Sequence, residues 1–392
     1  MNCTCCNYPA EYVFSHKYSL PYGPRKEPFI ANYHSCLNCR HIFYSSELHK
    51  EDYDAYYAAR PLASLGNDLS EAYRYELERF VARIVEFVTS SRNVDWSTIS
   101  CLEIGSGNGA FLDEMKKLGT KTFFYDLSID VTERLSKHHS KYHQNSKYDF
   151  LILRHVLEHT TNPFEFLSYI KNKFCHSNTF FYLEIPDWNF MDTYNEMFFS
   201  EHIQHFNTLS LHRILGRVGL SPEFIFSSRN SDYNFGSREN IRNTTTTWKL
   251  SCIASLDNCN DFTDHSNHIY DLKKYHDDYY HSRYKIINNL ISTHQRIAIH
   301  GASHLFADYV VNEASEEILK MIVLFDGNKN RYGEEFNGFT INQVSENNIQ
   351  EFDNMIIFAN DFAEDISRVW RENGFNGNIH NVFGYIDKKL VK

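Results

Sequence analysis

Hydrophobic positions in the central part of the chain follow two different periods. Apolar residues recur every three to four positions from Leu69 through Phe87, which predicts an amphipathic helix. Short apolar runs then alternate with helical patterns, predicting strands at 99–104, 122–125, 149–153 and 180–185 and helices at 108–118 and 164–172. Strands that alternate with helices in this way predict an α/β fold, with a parallel sheet and helices on both faces.

A second α/β pattern lies beyond a polar stretch. Ser227–Thr247 is rich in Asn, Ser, Thr and Arg and predicts a long loop, which a strand at Trp248–Ala254 closes. A charged helical stretch at Asn267–Ser292 precedes further predicted strands at 296–300, 321–325, 355–359 and 379–382, with a helix at 306–314. We therefore predict three parts, at 1–68, 69–254 and 255–392.

Composition and charge narrow the class of protein. Of the 392 residues 42% are hydrophobic, with 31 Phe and 26 Tyr, so several cores can form. The net charge of −11 argues against a nucleic-acid binder. No apolar run reaches the length of about 18 residues that a membrane span needs, and the N-terminus lacks signal-peptide features. We expect a soluble cytoplasmic protein with reduced thiols, without nucleic-acid or membrane partners, as a monomer or dimer.

Two C-x-x-C pairs near the N-terminus have the spacing of a zinc site. Cys3/Cys6 and Cys36/Cys39 each suit a turn that points two thiolates at one ion, and two such turns complete a tetrahedral structural site. Cys5 makes the first pair ambiguous, and spacing favours Cys3 and Cys6. The alternatives are chance cysteines or a redox pair. The loop between the pairs has no obvious core, so a metal would supply folding energy.

A glycine-rich turn follows the first predicted strand of the central sheet. Gly105-x-Gly107-x-Gly109 lets the backbone pass close under a bound nucleoside, although dinucleotide enzymes use a similar turn. Glu103 just before the turn, and Asp126 at the end of the next strand, favour S-adenosylmethionine (SAM). The Asp126 carboxylate can accept both ribose hydroxyls; the alternative is that it caps the next helix.

The predicted strand at 149–153 ends at Arg154 and His155, on the same sheet edge as the glycine turn. Ligands of such sheets bind outside the carboxyl ends of the strands. We therefore predict Arg154 and His155 at the cofactor. His155 and His159 either line the methyl-donor pocket or hold the strand-to-helix turn together.

Several motifs occur in an order that is more specific than any one of them. The two cysteine pairs precede Leu-Glu-Ile-Gly-Ser-Gly-Asn-Gly at 102–109, Arg-His-Val-Leu-Glu-His at 154–159, Glu-Ile-Pro-Asp at 184–187, Glu-His-Ile-Gln-His-Phe at 201–206, Gly-Ala-Ser at 301–303 and Phe-Asp-Gly-Asn at 325–328. Over nearly its whole length the chain resembles the three-part SAM-dependent C-methyltransferases that act on nucleotide-linked keto-deoxysugars in antibiotic and surface-glycan pathways.

This resemblance implies an N-terminal zinc module, a central class I (Rossmann-like) methyltransferase domain and a C-terminal Rossmann-like domain. It implies His202 as the general base, oriented or polarised by Glu201, and Tyr57, Glu184 and His205 at the acceptor. The alternative for His202 and His205 is packing. The Gly301 turn either holds part of the nucleotide or binds nothing.

The chain departs from the family near the acceptor. Phe199 stands where the family has a tyrosine, and a glycine-rich segment is reduced to Phe-Gly-Ser-Arg at 235–238. These departures leave two alternatives to C-methylation open. One is O- or N-methylation of a surface glycan or other metabolite, and the other is a non-catalytic, zinc-stabilised binding protein.

Overall fold

The structure is a computed structural model. It describes residues 1–25, 27–61, 71–188, 198, 200–229, 248–255, 284–291, 296–359 and 363–381. Phe199, the segment 235–238 and most of the predicted polar loop lie outside the described residues.

The N-terminal segment forms an antiparallel sheet with an aromatic core. Its strands are β1 (Ala10–Tyr18), β2 (Phe29–Cys36) and β3 (Ile42–Ser45), and helix α1 (Lys50–Ala59) follows them. The core residues are mostly aromatic and include Phe14, Tyr18, Phe29, Tyr33, Tyr44, Tyr53 and Tyr56. The prediction that this stretch lacks a core of its own is wrong, because aromatic residues at alternate strand positions share one face.

A seven-stranded sheet forms the central part. Its strands are β4 (Ser100–Ile104), β5 (Lys121–Tyr125), β6 (Ser140–Lys141), β7 (Tyr148–Arg154), β8 (Cys175–Pro186), β10 (Ser221–Arg229) and β11 (Trp248–Ser255), with the short β9 (Gln204–His205) outside it. The order is β10-β11-β8-β7-β4-β5-β6. Neighbouring strands from β6 to β8 are parallel, and β11 is antiparallel to both β8 and β10. This confirms the predicted α/β fold.

Helices cover both faces of this sheet. They are α2 (Glu71–Arg92), α3 (Ala110–Lys117), α4 (Ile129–Leu135), α5 (Pro163–Phe174) and α6 (Thr208–Val218), with 3-10 turns at Trp96–Thr98 and Leu157–His159. Residues of α2, α3 and α4 share one core with the sheet. Residues of α5 and α6 share the opposite core, which the N-terminal cysteines extend.

The C-terminal part is a smaller parallel sheet. Its elements are α7 (284–291), β12 (Ile297–His300), α8 (His304–Phe306) with a π-helical turn at Ala307–Val311, α9 (Glu316–Leu319), β13 (Ile322–Phe325), β14 (Glu335–Phe336), β15 (Phe339–Thr340), α10 (Glu346–Ile349), β16 (Asn354–Ile357), α11 (Ala363–Glu372) and β17 (Asn378–Asn381). The sheet order is β13-β12-β16-β17, and β14 pairs with β15.

The three parts are joined by side chains and by a shared sheet. Strand β9 pairs with β3, so the N-terminal sheet takes its fourth strand from the predicted central domain. Tyr22 packs between Tyr56 and the C-terminal Phe336, with ring centroids 5.8 and 6.0 Å away. None of the helices within the described residues is long and apolar enough to cross a membrane.

Candidate active site and metal centre

The glycine turn between β4 and α3 is built for close approach. All three glycines have positive φ, a region that L side chains rarely adopt. A Cβ at Gly105 would lie 2.5 Å from Val156, and one at Gly109 would lie 2.4 Å from Leu135. These two glycines therefore pack directly against neighbouring side chains. A Cβ at Gly107 would meet nothing within 4 Å. The middle glycine therefore faces open space where a ligand can pass.

Glu103 is a buried carboxyl group one residue before the end of β4. Its residue exposure is 3%, and burial raises its pKa to about 8, against the lowering influence of Arg154. Its Oε2 atom is buried without a hydrogen-bond partner among the described residues. Asp126 and Glu184 add negative charge nearby. A site of this kind favours a cationic ligand.

Asp126 lies at the end of β5, directly beside the glycine turn. Its Oδ2 accepts from the backbone N–H of Gly107 at 3.0 Å, and its Oδ1 accepts from that of Ser128 at 2.9 Å. Burial raises the pKa of Asp126. The carboxylate keeps further lone pairs, so it can accept from ribose hydroxyls while it fixes the two turns.

Arg154, His155 and Glu184 form a second cluster at the same sheet edge. Glu184 is 1% exposed and accepts from Arg154 at 3.2 Å, from His155 Nε2 at 3.1 Å and from the Tyr182 hydroxyl at 2.7 Å. His155 Nδ1 faces Glu158 at 3.2 Å. His155 has a φ of 52°, an uncommon conformation for a non-glycine residue that is concentrated at functional sites.

Two further histidines lie side by side next to this cluster. The ring centroids of His159 and His202 are 5.0 Å apart. His159 Nδ1 donates to the Glu201 carbonyl at 2.8 Å, which leaves Nε2 as the acceptor in the neutral ring. The ligand atoms of Glu158, His159 and His202 lie within 4.8 Å of one another. Such a group can move a proton or hold a divalent cation.

Glu201 is held by the N-terminal part of the chain. It is 4% exposed, and its two oxygens accept from the Tyr56 hydroxyl and from Arg60, the latter at 2.8 Å. The predicted role of Glu201 in orienting His202 stays a prediction beside these two contacts. The hydroxyl of Tyr57 is buried without a hydrogen-bond partner among the described residues, and its ring lies 5.7 Å from that of His159.

Of the two residues predicted at the acceptor, Glu184 lies in the cluster with Arg154 and His155, and His205 lies in the aromatic core. His205 is 2% exposed and packs against the rings of Tyr33 and Trp188, and burial lowers its pKa to about 3. Its ring is thus a neutral part of the aromatic core. Glu184 has its oxygens bonded to three protein donors, as described above.

The four predicted metal ligands come together in the structure. Sγ of Cys3 lies 3.6 Å from that of Cys39, and Sγ of Cys6 lies 3.5 Å from that of Cys36. All four sulfurs lie within 4.8 Å of one another, and Cys5 is not part of the group. Tetrahedral zinc with Zn–S bonds of about 2.3 Å separates its sulfurs by about 3.8 Å, so these cysteines fit the ion.

Sequence reasoning left Arg60 and Glu158 out of the site and gave His159 two alternative roles. Arg60 pairs with Glu201, which lies 141 positions away in the sequence, and no local sequence pattern predicts such a contact. Glu158 and His159 were within the motif at 154–159, where a glutamate and a histidine directly follow a strand end. Their position after β7, at the ligand-binding edge, was the available signal.

Comparison with known proteins assigns the central part. Residues 70–223 match the Methyltransf_23 family model, described as a methyltransferase domain. No curated protein sequence matches the chain.

Several solved structures are similar at low identity. Magnesium protoporphyrin IX methyltransferase from Synechocystis PCC 6803 with bound SAH has 12% identity and a TM-score of 0.35, covering 48% of this chain and 89% of that one. A SAM-dependent methyltransferase from Archaeoglobus fulgidus has 16% identity and a TM-score of 0.32, covering 47% of this chain and 100% of that one. Coclaurine N-methyltransferase has 10% identity and a TM-score of 0.32, covering 45% and 70%.

The family match and the site agree with each other. The matched range contains the glycine turn, Glu103 and Asp126, and it carries the parallel strands β4, β5, β7 and β8. This favours an enzyme over the non-catalytic alternative. Residues 70–223 are a methyltransferase domain, and its glycine turn, Glu103 and Asp126 fit SAM as the methyl donor.

Proposed function

We propose that the chain methylates a carbon next to the carbonyl of a nucleotide-linked keto-deoxysugar. The observation that carries this proposal is the group formed by His202, His159 and the buried, unpartnered hydroxyl of Tyr57. Carbon methylation needs a base for the α proton and a donor for the resulting enolate oxygen. The order of motifs along the chain supports the same family of acceptors.

The donor side uses residues at the carboxyl ends of β4, β5 and β7. SAM supplies an electrophilic methyl group when it is bound. The residues proposed to hold it are Glu103, Gly105, Gly107, Gly109, Asp126, Arg154 and His155. Asp126 takes the ribose, the open face of Gly107 admits the ligand backbone, and Glu103 faces its positive charge.

The acceptor side uses residues from three segments. The His202 imidazole takes the α proton, so that the C–H bond breaks and its electron pair becomes the enolate. Tyr57 donates to the carbonyl oxygen as negative charge develops there, which compensates for the phenol missing at Phe199. Glu201 holds α1 and Arg60 in place. Glu184 holds Arg154 and His155, and His205 packs in the adjoining aromatic core. The nucleotide is expected near the C-terminal Rossmann-like domain.

A second candidate is O- or N-methylation of a surface glycan or another metabolite. It uses the same base and the same donor site but needs no ketone and no enolate donor. Observations on Tyr57 therefore favour the first candidate, and product analysis separates the two.

We predict that Asp126→Ala weakens SAM binding at least tenfold. Charge-assisted hydrogen bonds contribute on the order of 1.5–3 kcal/mol each before desolvation losses, and the variant removes those to the ribose. Calorimetric titration with SAM measures the effect. Asp130→Ala, an exposed aspartate on α4, is the control and should bind SAM normally. Unchanged affinity in Asp126→Ala would reject the assignment.

We predict that His202→Ala loses turnover by about 10²–10⁴-fold, the usual contribution of a positioned base, and still binds SAM. His138→Ala removes an exposed histidine and serves as the control. Product NMR with a panel of nucleotide-linked keto sugars identifies the methylated atom. The wild type should also exchange the acceptor's α proton with solvent deuterium when deprotonation occurs without methyl transfer. Methylation of a hydroxyl without any such exchange would contradict the keto-sugar proposal.

We predict one zinc ion per chain on Cys3, Cys6, Cys36 and Cys39. Elemental analysis should find the ion in the wild type and in Cys5→Ala, and should find it lost or reduced in Cys36→Ser together with lower thermal stability. A zinc-free wild type with a normally folded Cys36→Ser would overturn the site. A second ion bound by Glu158, His159 and His202 would contradict the role of His202 as a base.

A further inference from the structure

Gln204 connects the metal centre to the acceptor side through a single buried amide. The residue is 1% exposed and lies in β9, two positions after His202. Its Oε1 accepts from the hydroxyl of Thr4 and from Nε2 of His41, both at 2.8 Å. Its Nε2 donates to the carbonyl of Thr160 at 2.9 Å. One side chain thus bonds both to the cysteine turns, through Thr4 and His41, and to the turn at Thr160.

The partners of Gln204 on the cysteine side belong to the turns that carry the sulfurs. Thr4 lies between Cys3 and Cys6, and His41 follows Cys39 by two residues. The proposed zinc ion on these thiolates would fix the positions of both turns. The two hydrogen bonds that the amide oxygen accepts therefore depend on the positions of these turns.

The partner on the acceptor side is the turn of the two histidines. Thr160 directly follows His159, whose Nδ1 donates to the carbonyl of Glu201, the residue before His202. A displacement of the amide therefore moves the carbonyl of Thr160 and, with it, the relative placement of the two rings. Strand β9 itself pairs with β3 directly after the second cysteine turn.

Other contacts hold the cysteine turns but do not reach the histidines by the same route. Arg217 donates to the carbonyls of Thr4 and Cys5, at 3.1 and 2.5 Å. Asn207 donates to the carbonyls of Cys39 and Arg40, at 3.3 and 2.9 Å. These two side chains dock the turns on α6, which leaves Gln204 as the described side chain that bonds to both regions.

We propose that Gln204 is a positioning residue that couples the metal centre to the geometry of His159 and His202. The proposal rests on the proposed function in placing these histidines at the acceptor. Its consequence is that the state of the cysteine turns sets the rate of the acceptor chemistry without changing the affinity for SAM, since the glycine turn and Asp126 lie on other loops.

Two variants each remove one hydrogen bond of Gln204, the first on the cysteine side and the second on the side of the two histidines. Thr4→Val removes one hydrogen bond on the cysteine side and keeps the side-chain shape. Gln204→Glu keeps an acceptor for Thr4 and His41 but removes the donor to the Thr160 carbonyl. Gln350→Met, at an exposed glutamine of the C-terminal part, is the matched control.

The test is histidine side-chain NMR on the zinc-loaded full chain, with the signals of His159 and His202 assigned from His159→Gln and His202→Gln. We expect Thr4→Val and Gln204→Glu to shift these imidazole signals or their titration midpoints, while zinc content and SAM affinity stay at wild-type values. The control should shift neither. Unchanged signals in Thr4→Val and Gln204→Glu would overturn the proposal.

Turnover supplies a second measurement. Since a misplacement of about 1 Å can cost about 10²-fold in rate, we expect kcat to fall by about 10- to 100-fold in both variants. A purely structural role would instead lower stability or zinc content and leave kcat of the folded protein unchanged. If the histidine signals shift as expected but the wild type methylates no keto sugar, the proposed function fails and the coupling stands.

Discussion

Buried carboxylates at the carboxyl edge of the seven-stranded sheet impose the constraint on which the site depends. A carboxylate removed from water is costly unless donors surround it, and this edge holds Glu103, Glu158, Glu184 and Glu201, each at most 4% exposed. Glu184 and Glu201 are satisfied by protein donors. The donors to Glu201 come from a distant segment, so satisfying its charge brings the N-terminal α1 and Arg60 onto the central domain.

The two remaining carboxyl groups each keep one oxygen without a protein donor among the described residues. Oε2 of Glu103 and Oε2 of Glu158 are buried without hydrogen-bond partners among the described residues. In the proposed function Glu103 faces the donor side, where SAM would bring a sulfonium and an ammonium group. Glu158 lies beside the paired rings of His159 and His202, the proposed site of proton transfer.

The sequence predicts the parts of this protein that local patterns determine. Three of these features depend only on residues within about twenty positions of one another. They are the change of hydrophobic period between β4 and α3, the glycines of the turn, and Asp126 at the end of β5. The C-x-x-C spacing likewise predicts which sulfurs gather. The N-terminal sheet is not predicted, because the cysteine spacing alone does not reveal that aromatic residues alternate along its strands.

Contacts between distant segments were out of reach of the same reasoning. Three such contacts form only because the three sheets pack against one another. Arg60 pairs with Glu201, Gln204 bonds to Thr4, and the ring of Tyr22 packs against that of Phe336. His205 shows the converse. Its place in a motif suggested chemistry, but its side of β9 turns it toward Tyr33 and Trp188, in the aromatic core.

The most direct test of this account measures protons during SAM binding. Burial raises the pKa of Glu103 to about 8, so its carboxyl group is mostly protonated at pH 7 before SAM binds. A bound cation favours the charged form and lowers this pKa, so binding at pH 7 should release up to about 0.9 proton per site. Calorimetry in buffers of different ionisation enthalpy counts these protons. We expect release in the wild type and its loss in Glu103→Gln; a wild type that releases none, or a variant that releases as many, would contradict the account.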